Sequence, residues 1–300
     1  MRMLVIVNPE ASRAEIASDE LSRWFSANAT PIIVRATSID DLKQALRTHG
    51  ANADRIVIGG GDGTISAALA ELLQLDKPLA VLPLGTANDF ARTLGVPADA
   101  IEAAEVALSG REHRIDVGKV NGRPFINVAS IGLAAKVTEE QSRRLKQRWR
   151  VLSYLISLWR AAWAARPFYL EIDLDGASAW SGAVYQVSVG NGRFHGGGLT
   201  VSDDATIDDG KFDLYLVCPG AVWQLLAAAT HLRFGFAKPD LLKRGSATRV
   251  TLRTATPRPI NIDGELNAAT PATFELVPAA LTVIVPRSLP ADHRGLTKLP

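Results

Sequence analysis

The chain has 300 residues, 47% of them apolar, and a formal net charge of +2. That length and apolar content can bury core enough for two domains, and a charge so small and dispersed excludes a dedicated nucleic-acid surface. The single cysteine, Cys218, excludes an internal disulfide and fits a reducing compartment with a buried, unreactive thiol, while the five histidines lack zinc-ligand spacing.

In chain order, Met1-Arg2-Met3-Leu4-Val5-Ile6-Val7 is apolar for too few residues to form a signal h-region before Asn8-Pro9, and it reads as a first strand. A helix using Ala17, Leu21, Trp24 and Phe25 follows, then a strand over residues 31–35 and a helix using Leu42, Ala45 and Leu46. Arg55-Ile56-Val57-Ile58 next runs into Gly59-Gly60-Gly61-Asp62-Gly63-Thr64, a loop whose side chains are one carboxylate and one hydroxyl. Apolar residues at Ile65, Ala68, Leu69, Leu72 and Leu73 place a helix directly after it, so its free N-terminal amides point at the loop and suit a phosphate. Asp62 at an anion site calls for a cation, most simply Mg²⁺ arriving with a nucleotide.

Residues 79–83 read as another buried strand, and Leu84-Gly85-Thr86-Ala87-Asn88-Asp89-Phe90-Ala91-Arg92 as a polar loop entering a helix. Strand, helix and strand in this order give a parallel pair with a right-handed crossover, so both loops leave the same carboxyl edge. Asp62, Thr64, Thr86, Asn88 and Asp89 are therefore candidates for one cleft. Helix capping alone explains one polar residue per helix start, not three in the second loop.

Near residue 118 the pattern changes from alternating strands and helices to short strands over 124–128, 169–174, 183–189, 212–217, 249–253, 259–262, 273–276 and 281–285. Turn signals such as Asp175-Gly176, Asp209-Gly210 and Asp263-Gly264 separate them. The prediction is a three-layer α/β domain with a parallel sheet over 1–118, followed by an antiparallel β-sandwich over 119–285 with inserted helices. Residues 286–300 are too irregular to place.

One insert carries Arg143, Arg144, Lys146, Arg148 and Arg150 ahead of a face with Leu152, Leu155, Ile156, Trp159 and Trp163. This suits a membrane surface, and it equally describes a helix packed on the sandwich with a solvated basic end, the simpler reading of these residues alone. Arg160 interrupts the best candidate for a membrane span, residues 151–165. A second apolar insert, residues 223–236, reads as core or as the lining of an acyl-chain pocket.

The ordered set of Gly60-Gly61-Asp62-Gly63-Thr64, then Leu82-Pro83-Leu84-Gly85-Thr86-Ala87-Asn88-Asp89-Phe90-Ala91, resembles the catalytic domain of diacylglycerol kinases, and most closely the soluble bacterial lipid kinases of that family. The resemblance covers nearly the whole chain and continues in Ile115-Asp116-Val117-Gly118, Ile126-Asn127-Val128-Ala129-Ser130-Ile131-Gly132, Gly190-Asn191-Gly192, Gly196-Gly197-Gly198, Ile207-Asp208-Asp209-Gly210-Lys211-Phe212-Asp213 and Asn261-Ile262-Asp263-Gly264-Glu265. It implies an NAD kinase-like α/β domain and sandwich with the active site in the cleft between them. It also implies that the end of the chain, residues 286–300, can return to the first domain.

The activity so implied is transfer of the γ-phosphoryl group of ATP, with Mg²⁺, to a hydroxyl of a glycerolipid of the diacylglycerol or phosphatidylglycerol type. Nucleotide contacts then fall on Thr37, Gly60, Gly61, Asp62, Gly63, Thr64, Ile65, Ser66 and Thr86. A carboxylate network around the catalytic Mg²⁺ maps onto Asp62, Asp89 and Asp116, and Glu265 becomes the base for the acceptor hydroxyl, although Asp-Gly by itself marks only a hairpin turn. A structural Mg²⁺ falls on Asp213 with the carbonyls of Gly210 and Tyr215, and Arg92 faces the lipid headgroup or the phosphates. The expected partners are nucleotide and lipid, with a cytoplasmic chain in peripheral contact with the inner membrane surface.

The chain departs from the family pattern in Asn8-Pro9-Glu10-Ala11-Ser12-Arg13, where relatives have a glycine turn that helps hold the nucleotide. Arg13 is a candidate compensation for the missing glycine and for the introduced Glu10. An NAD kinase and a nucleotide-binding regulator without turnover are the alternative readings.

Overall fold

Five consecutive buried residues, Met3 to Val7, make β1 (Arg2–Val7) a central strand with both faces covered. In the computed structural model, which describes residues 1–12, 14–132, 166–192, 194–195, 199–200, 206–219 and 242–288, it pairs in parallel with two neighbours. These are β2 (Thr30–Arg35), reached through α1 (Ala14–Asn28), and β3 (Arg55–Gly60), reached through α2 (Ile39–His49). β3 leads through α3 (Asp62–Leu75) to β4 (Leu79–Pro83), again parallel. The edge strand β2 is only half-buried, whereas β3 and β4 are buried throughout, as expected for strands with helices on both faces.

α3 buries Ile65, Ala68, Leu69 and Leu72, the predicted stripe, while Leu73 is partly buried against the same core. Its Glu71 is also buried, and Arg47 of α2 reaches it at 2.9 Å, tying the two helices together. The short α4 (Asp89–Thr93) and then α5 (Ala100–Ser109) complete the helical layers.

The antiparallel half starts with β5 (Arg111–Val120), β6 (Arg123–Phe125) and β7 (Val128–Gly132). It continues through β8 (Phe168–Leu174), β9 (Ala177–Val184), β10 (Gln186–Gly190), the short pair β11 (Phe194–His195) and β12 (Leu199–Thr200), and β13 (Phe212–Val217). β14 (Leu242–Ala247), β15 (Arg249–Thr254), β16 (Pro259–Ile262), β17 (Glu265–Ala269) and β18 (Ala272–Val285) follow. One sandwich face is the sheet β14-β13-β10-β7-β16-β17. The opposing face is built from β5, β18, β15, β8 and β9. Between them Phe125 stacks on Phe212 at 5.8 Å and meets Phe274 edge-on at 6.2 Å.

Three predicted boundaries shift. The expected strand over 183–189 breaks at Tyr185 into β9 and β10, which lie in opposite sheets. The one over 124–128 breaks at Ile126-Asn127, whose amides leave the ladder for the Asp263 carboxylate. Conversely, the two expected over 273–276 and 281–285 are one strand, β18, interrupted by a bulge between Val277 and Leu281 with Ala279 at φ 48°. Its first part pairs with β15 and its end reaches β4, Val283 opposite Leu79, so β18 carries the sandwich face into the parallel sheet as one ten-stranded sheet. The switch expected at residue 118 lies inside β5, and residues 281–285 make the return to the first half.

Cys218 is half-buried against the sandwich core, and burial pushes its thiol pKa up. The basic and aromatic insert of residues 143–163, the insert of residues 223–236, Gly196–Gly198, Arg13 and residues 289–300 lie outside the described residues. Among the described residues no helix is long and apolar enough to cross a membrane.

Candidate functional site

β3 and β4 are neighbours in parallel, so the two predicted loops leave the same edge, and their backbones touch. A β-carbon on Gly61 would sit 3.2 Å from Gly85 Cα, and one on Gly85 would collide with the Gly61 backbone. The amides of Leu84 and Gly85 both donate to the Gly60 carbonyl, at 3.1 and 3.2 Å, which locks the second loop onto the first. At Gly60 a side chain would strike Thr64, leaving glycine as the residue that fits. α3 begins at Asp62 behind Gly61, and no side chain caps it. An uncapped helix start beside glycines leaves amides free to take an anion as partner.

Of the three carboxylates expected around a metal, Asp62 and Asp116 are held by backbone amides and Asp89 by an arginine. Asp62 accepts from Asp89 N at 3.1 Å and Phe90 N at 2.9 Å, so the acid of the first loop caps the helix that follows the second. Asp89 is buried and meets Arg92 at 3.2 Å, while Arg92 also donates to the Ala87 carbonyl. Asp116, 4% exposed, accepts from Gly210 N at 2.7 Å and from Ala279 N in the β18 bulge at 2.8 Å. It therefore ties β5 to two other segments.

Asp263 in the β16–β17 turn does the same where the chain passes from β6 in one sheet to β7 in the other. Its carboxylate accepts from Ile126, Asn127 and Val128 amides at 2.8, 3.0 and 2.9 Å. Burial raises its pKa most, the three amides pull it down, and nearby Asp62 pushes it up, with a net upward shift. Asn191 links the two centres, donating through Nδ2 to the Asp116 and Ile126 carbonyls at 2.8 and 3.2 Å. Asp209, beside Asp116, also has a raised pKa, from burial first.

Next to the start of α3 lies a cavity of about 240 Å³, lined by Ile6, Asn8, Ala36, Thr37, Ser38, Ile39, Leu42, Gly63, Thr64 and Glu265. Two predicted nucleotide positions of the first loop, the predicted Thr37 and the predicted base Glu265 thus share one space. Glu265 is exposed on β17 and accepts from Asn267 Nδ2 at 2.6 Å. Thr86 does not line this cavity; its hydroxyl lies 3.3 Å from that of Ser12. The departing 8–12 turn therefore reaches the second loop through Ser12, while the exposed Glu10 donates its amide to Asn8 Oδ1 at 2.9 Å and does not line the cavity.

Other predicted positions are less direct. The Ile65 side chain is in the core, and its amide bonds the Gly61 carbonyl, so it holds the loop from within. Arg92 is engaged by its own loop as described. Gly210, with φ 75°, precedes β13, which carries Asp213 and a buried Tyr215 whose hydroxyl accepts from Gln186 at 3.2 Å. Among the described residues no group of three His, Cys, Asp or Glu side chains gathers to hold a metal. The set expected at Gly210, Asp213 and Tyr215, one carboxylate with two carbonyls, is not a cluster of that kind, and an ion at the glycine loops would draw its ligands mainly from phosphates and water.

Sequence reasoning missed Asp263, Asp41, Ser12 and Asn267. Asp263 was visible as half of a hairpin signal and as part of a family segment, but its contacts lie about 136 positions upstream. Asp41 had a local signal: Ser38 followed three residues later by an acid before an apolar helix is a capping box, and the structure forms it.

The chain matches the family model for the diacylglycerol kinase catalytic domain over residues 2–120 and that for the YegS C-terminal NAD kinase beta sandwich-like domain over residues 127–285. It is 32% identical to a diacylglycerol kinase of Bacillus subtilis, covering 95% of this chain and 97% of that one. It is 34% identical to a "Probable lipid kinase YegS-like" protein of Pseudomonas aeruginosa, covering 96% and 95%. In fold it resembles a diacylglycerol kinase from Bacillus anthracis, at TM-score 0.78, 24% identity and coverage of 96% and 98%. An NAD kinase from Archaeoglobus fulgidus in complex with ATP is more distant, at TM-score 0.55, 14% identity and coverage of 98% and 96%. Two touching glycine loops, an uncapped helix start and a sandwich carboxylate brought to the same cavity accord with these matches: the chain belongs to the diacylglycerol kinase catalytic-domain family and is a kinase of its lipid-kinase branch.

Proposed function

We propose that this kinase transfers the γ-phosphoryl group of ATP to a hydroxyl of a glycerolipid of the diacylglycerol or phosphatidylglycerol type at a membrane surface. The observation that carries the reading is that Glu265 lines the same cavity as Gly63 and Thr64 at the start of α3. Phosphoryl transfer asks the protein to hold phosphates, offset their charge and orient an attacking hydroxyl. The amides at the start of α3 suit the phosphates. Glu265, oriented by Asn267, suits a base that takes the hydroxyl proton. Mg²⁺ would enter with the nucleotide, with Asp62 the acidic side chain closest in sequence to the phosphate loop, and would supply charge neutralisation there.

The test incubates the protein with labelled ATP, Mg²⁺ and diacylglycerol or phosphatidylglycerol in mixed micelles and resolves the organic phase. Label in a lipid product, lost in Glu265→Ala, is the expected result. Label transferred only to NAD would make the chain an NAD kinase, and nucleotide binding without transfer to either acceptor would make it a regulator.

A further inference from the structure

Asn191 lies directly after β10 and is 2% exposed. Its Nδ2 donates to two carbonyls, that of Asp116 in β5 at 2.8 Å and that of Ile126 at 3.2 Å, and its own amide donates to the Asn127 carbonyl at 2.8 Å. Two carbonyls facing one end of the side chain settle that this end is the nitrogen. The other end, Oδ1, is buried without a hydrogen-bond partner among the described residues. A buried acceptor left unpaired costs stability, so packing alone does not account for an asparagine here.

What the donors hold does account for it. The Ile126 and Asn127 peptides are gripped from both sides: Asp263 takes their amides, at 2.8 and 3.0 Å, and Asn191 takes their carbonyls. Asp263 also opens the two-residue turn that leads into β17 at Glu265, with φ of 47° at Asp263 and 101° at Gly264. Asn261 closes that turn, its Oδ1 accepting the Gly264 amide at 2.8 Å. Contacts therefore run from Asp116 through Asn191 and the 126–127 link to Asp263, and so to Glu265. β5, which carries Asp116, pairs with β18 in the same ten-stranded sheet as β3 and β4, the strands that end in the glycine loops. We infer that Asn191 is a positioning residue for phosphoryl transfer: its side-chain N–H groups fix the Asp263–Glu265 turn against β5, and thereby the place of Glu265 in the cavity. The inference rests on the reading of Glu265 as the base and adds the residue that sets where that base stands.

The test measures lipid phosphorylation per folded molecule, with the folded fraction read from urea denaturation. Asn191→Leu keeps a similar bulk and removes both donors together with the unpaired oxygen. Asn191→Ser, which removes the reach without adding bulk or charge, serves where the leucine variant does not fold. Either substitution is expected to lower kcat about tenfold or more, within the 10²-fold that a misplacement of about 1 Å costs. The Kd for ATP from calorimetry and the KM for ATP should stay at their wild-type values, because Asn191 does not line the cavity. In a Glu265→Gln background the same substitution should cost no further activity, a readout that a role in stability alone does not move. An unchanged kcat in the folded variant, or a loss that adds to that of Glu265→Gln, overturns the inference and leaves the reading of Glu265 standing. A Glu265→Gln enzyme with wild-type kcat overturns both.

Discussion

Asp62 Oδ1 accepts the amide of Phe90 at 2.9 Å, so the acid of the first glycine loop caps the helix of the second. Its other oxygen takes Asp89 N. A carboxylate held this way fixes the distance between the loops and keeps a negative charge between two helix starts, where both partial positive ends favour it. Asp62 therefore has structural work to do whether or not an ion is bound.

Replacing Asp62 with alanine should consequently lower stability as well as activity. Loss of a helix cap costs about 0.5–2 kcal/mol, and urea denaturation of the ligand-free protein reads it directly. An Asp62→Ala variant as stable as wild type would mean that the α4 amides find other partners and that the role of Asp62 is confined to ligand.

The two glycines that touch predict opposite outcomes from those that do not. Gly85→Ala drives a methyl group into the Gly61 backbone and should destabilise by about 1–3 kcal/mol, as overpacking does. Gly63 has open space around it and lies in a helix, so Gly63→Ala should be neutral or stabilising by about 0.5–1 kcal/mol. It nevertheless places a methyl group in the cavity wall. Thermal unfolding with nucleotide titration should show the second variant folded but weaker in binding.

The parallel half was legible because its signals are local: buried runs at β3 and β4, each followed by glycines and a helical stripe, fix both elements and the shared edge. The sandwich class was also readable from turn signals, and Gly176, Gly210 and Gly264 all have the positive φ those signals require. What escaped was long-range. Pro278-Ala279-Ala280 looks like a break between strands, yet it is a bulge because the Ala279 amide is drawn to Asp116, 163 positions away. Likewise nothing in the sequence announces the amides that reach Asp116 and Asp62. Thr37, Gly63, Thr64 and Glu265 meet in one cavity as the family resemblance implied, while the Asp41 contact that orients Thr37 was not noticed.

Asp263 anchors three consecutive amides from the sandwich crossover, and asparagine cannot replace it cleanly, since one of its two terminal groups is a donor facing donors. Asp263→Asn should destabilise by about 1–3 kcal/mol. The pH dependence has a defined sign. With its pKa raised above the ordinary 3.8, folded Asp263 binds a proton more tightly than the unfolded chain does. Stability from this group therefore rises as pH falls through the folded value towards 3.8, and is lost again above it. The gap between wild type and Asp263→Asn should widen over that fall in denaturation measured at several pH values; a gap that narrows would show that the amides outweigh burial.

Glu265 and Asn267 separate binding from chemistry. If Glu265 takes the acceptor proton, Glu265→Gln should lower kcat by about 10²–10⁴-fold, the usual contribution of a general base, while nucleotide binding measured by calorimetry stays near wild type. Asn267, which donates to Glu265 at 2.6 Å from two residues along the same strand, orients that carboxylate without lining the cavity. Asn267→Ala should lower kcat less than the loss of Glu265 does, leave the KM for nucleotide unchanged, and have no further effect in a Glu265→Gln background. Additive losses in the double variant would mean that Asn267 acts on the substrate independently, and a Glu265→Gln enzyme with wild-type kcat would move the base elsewhere in the cavity.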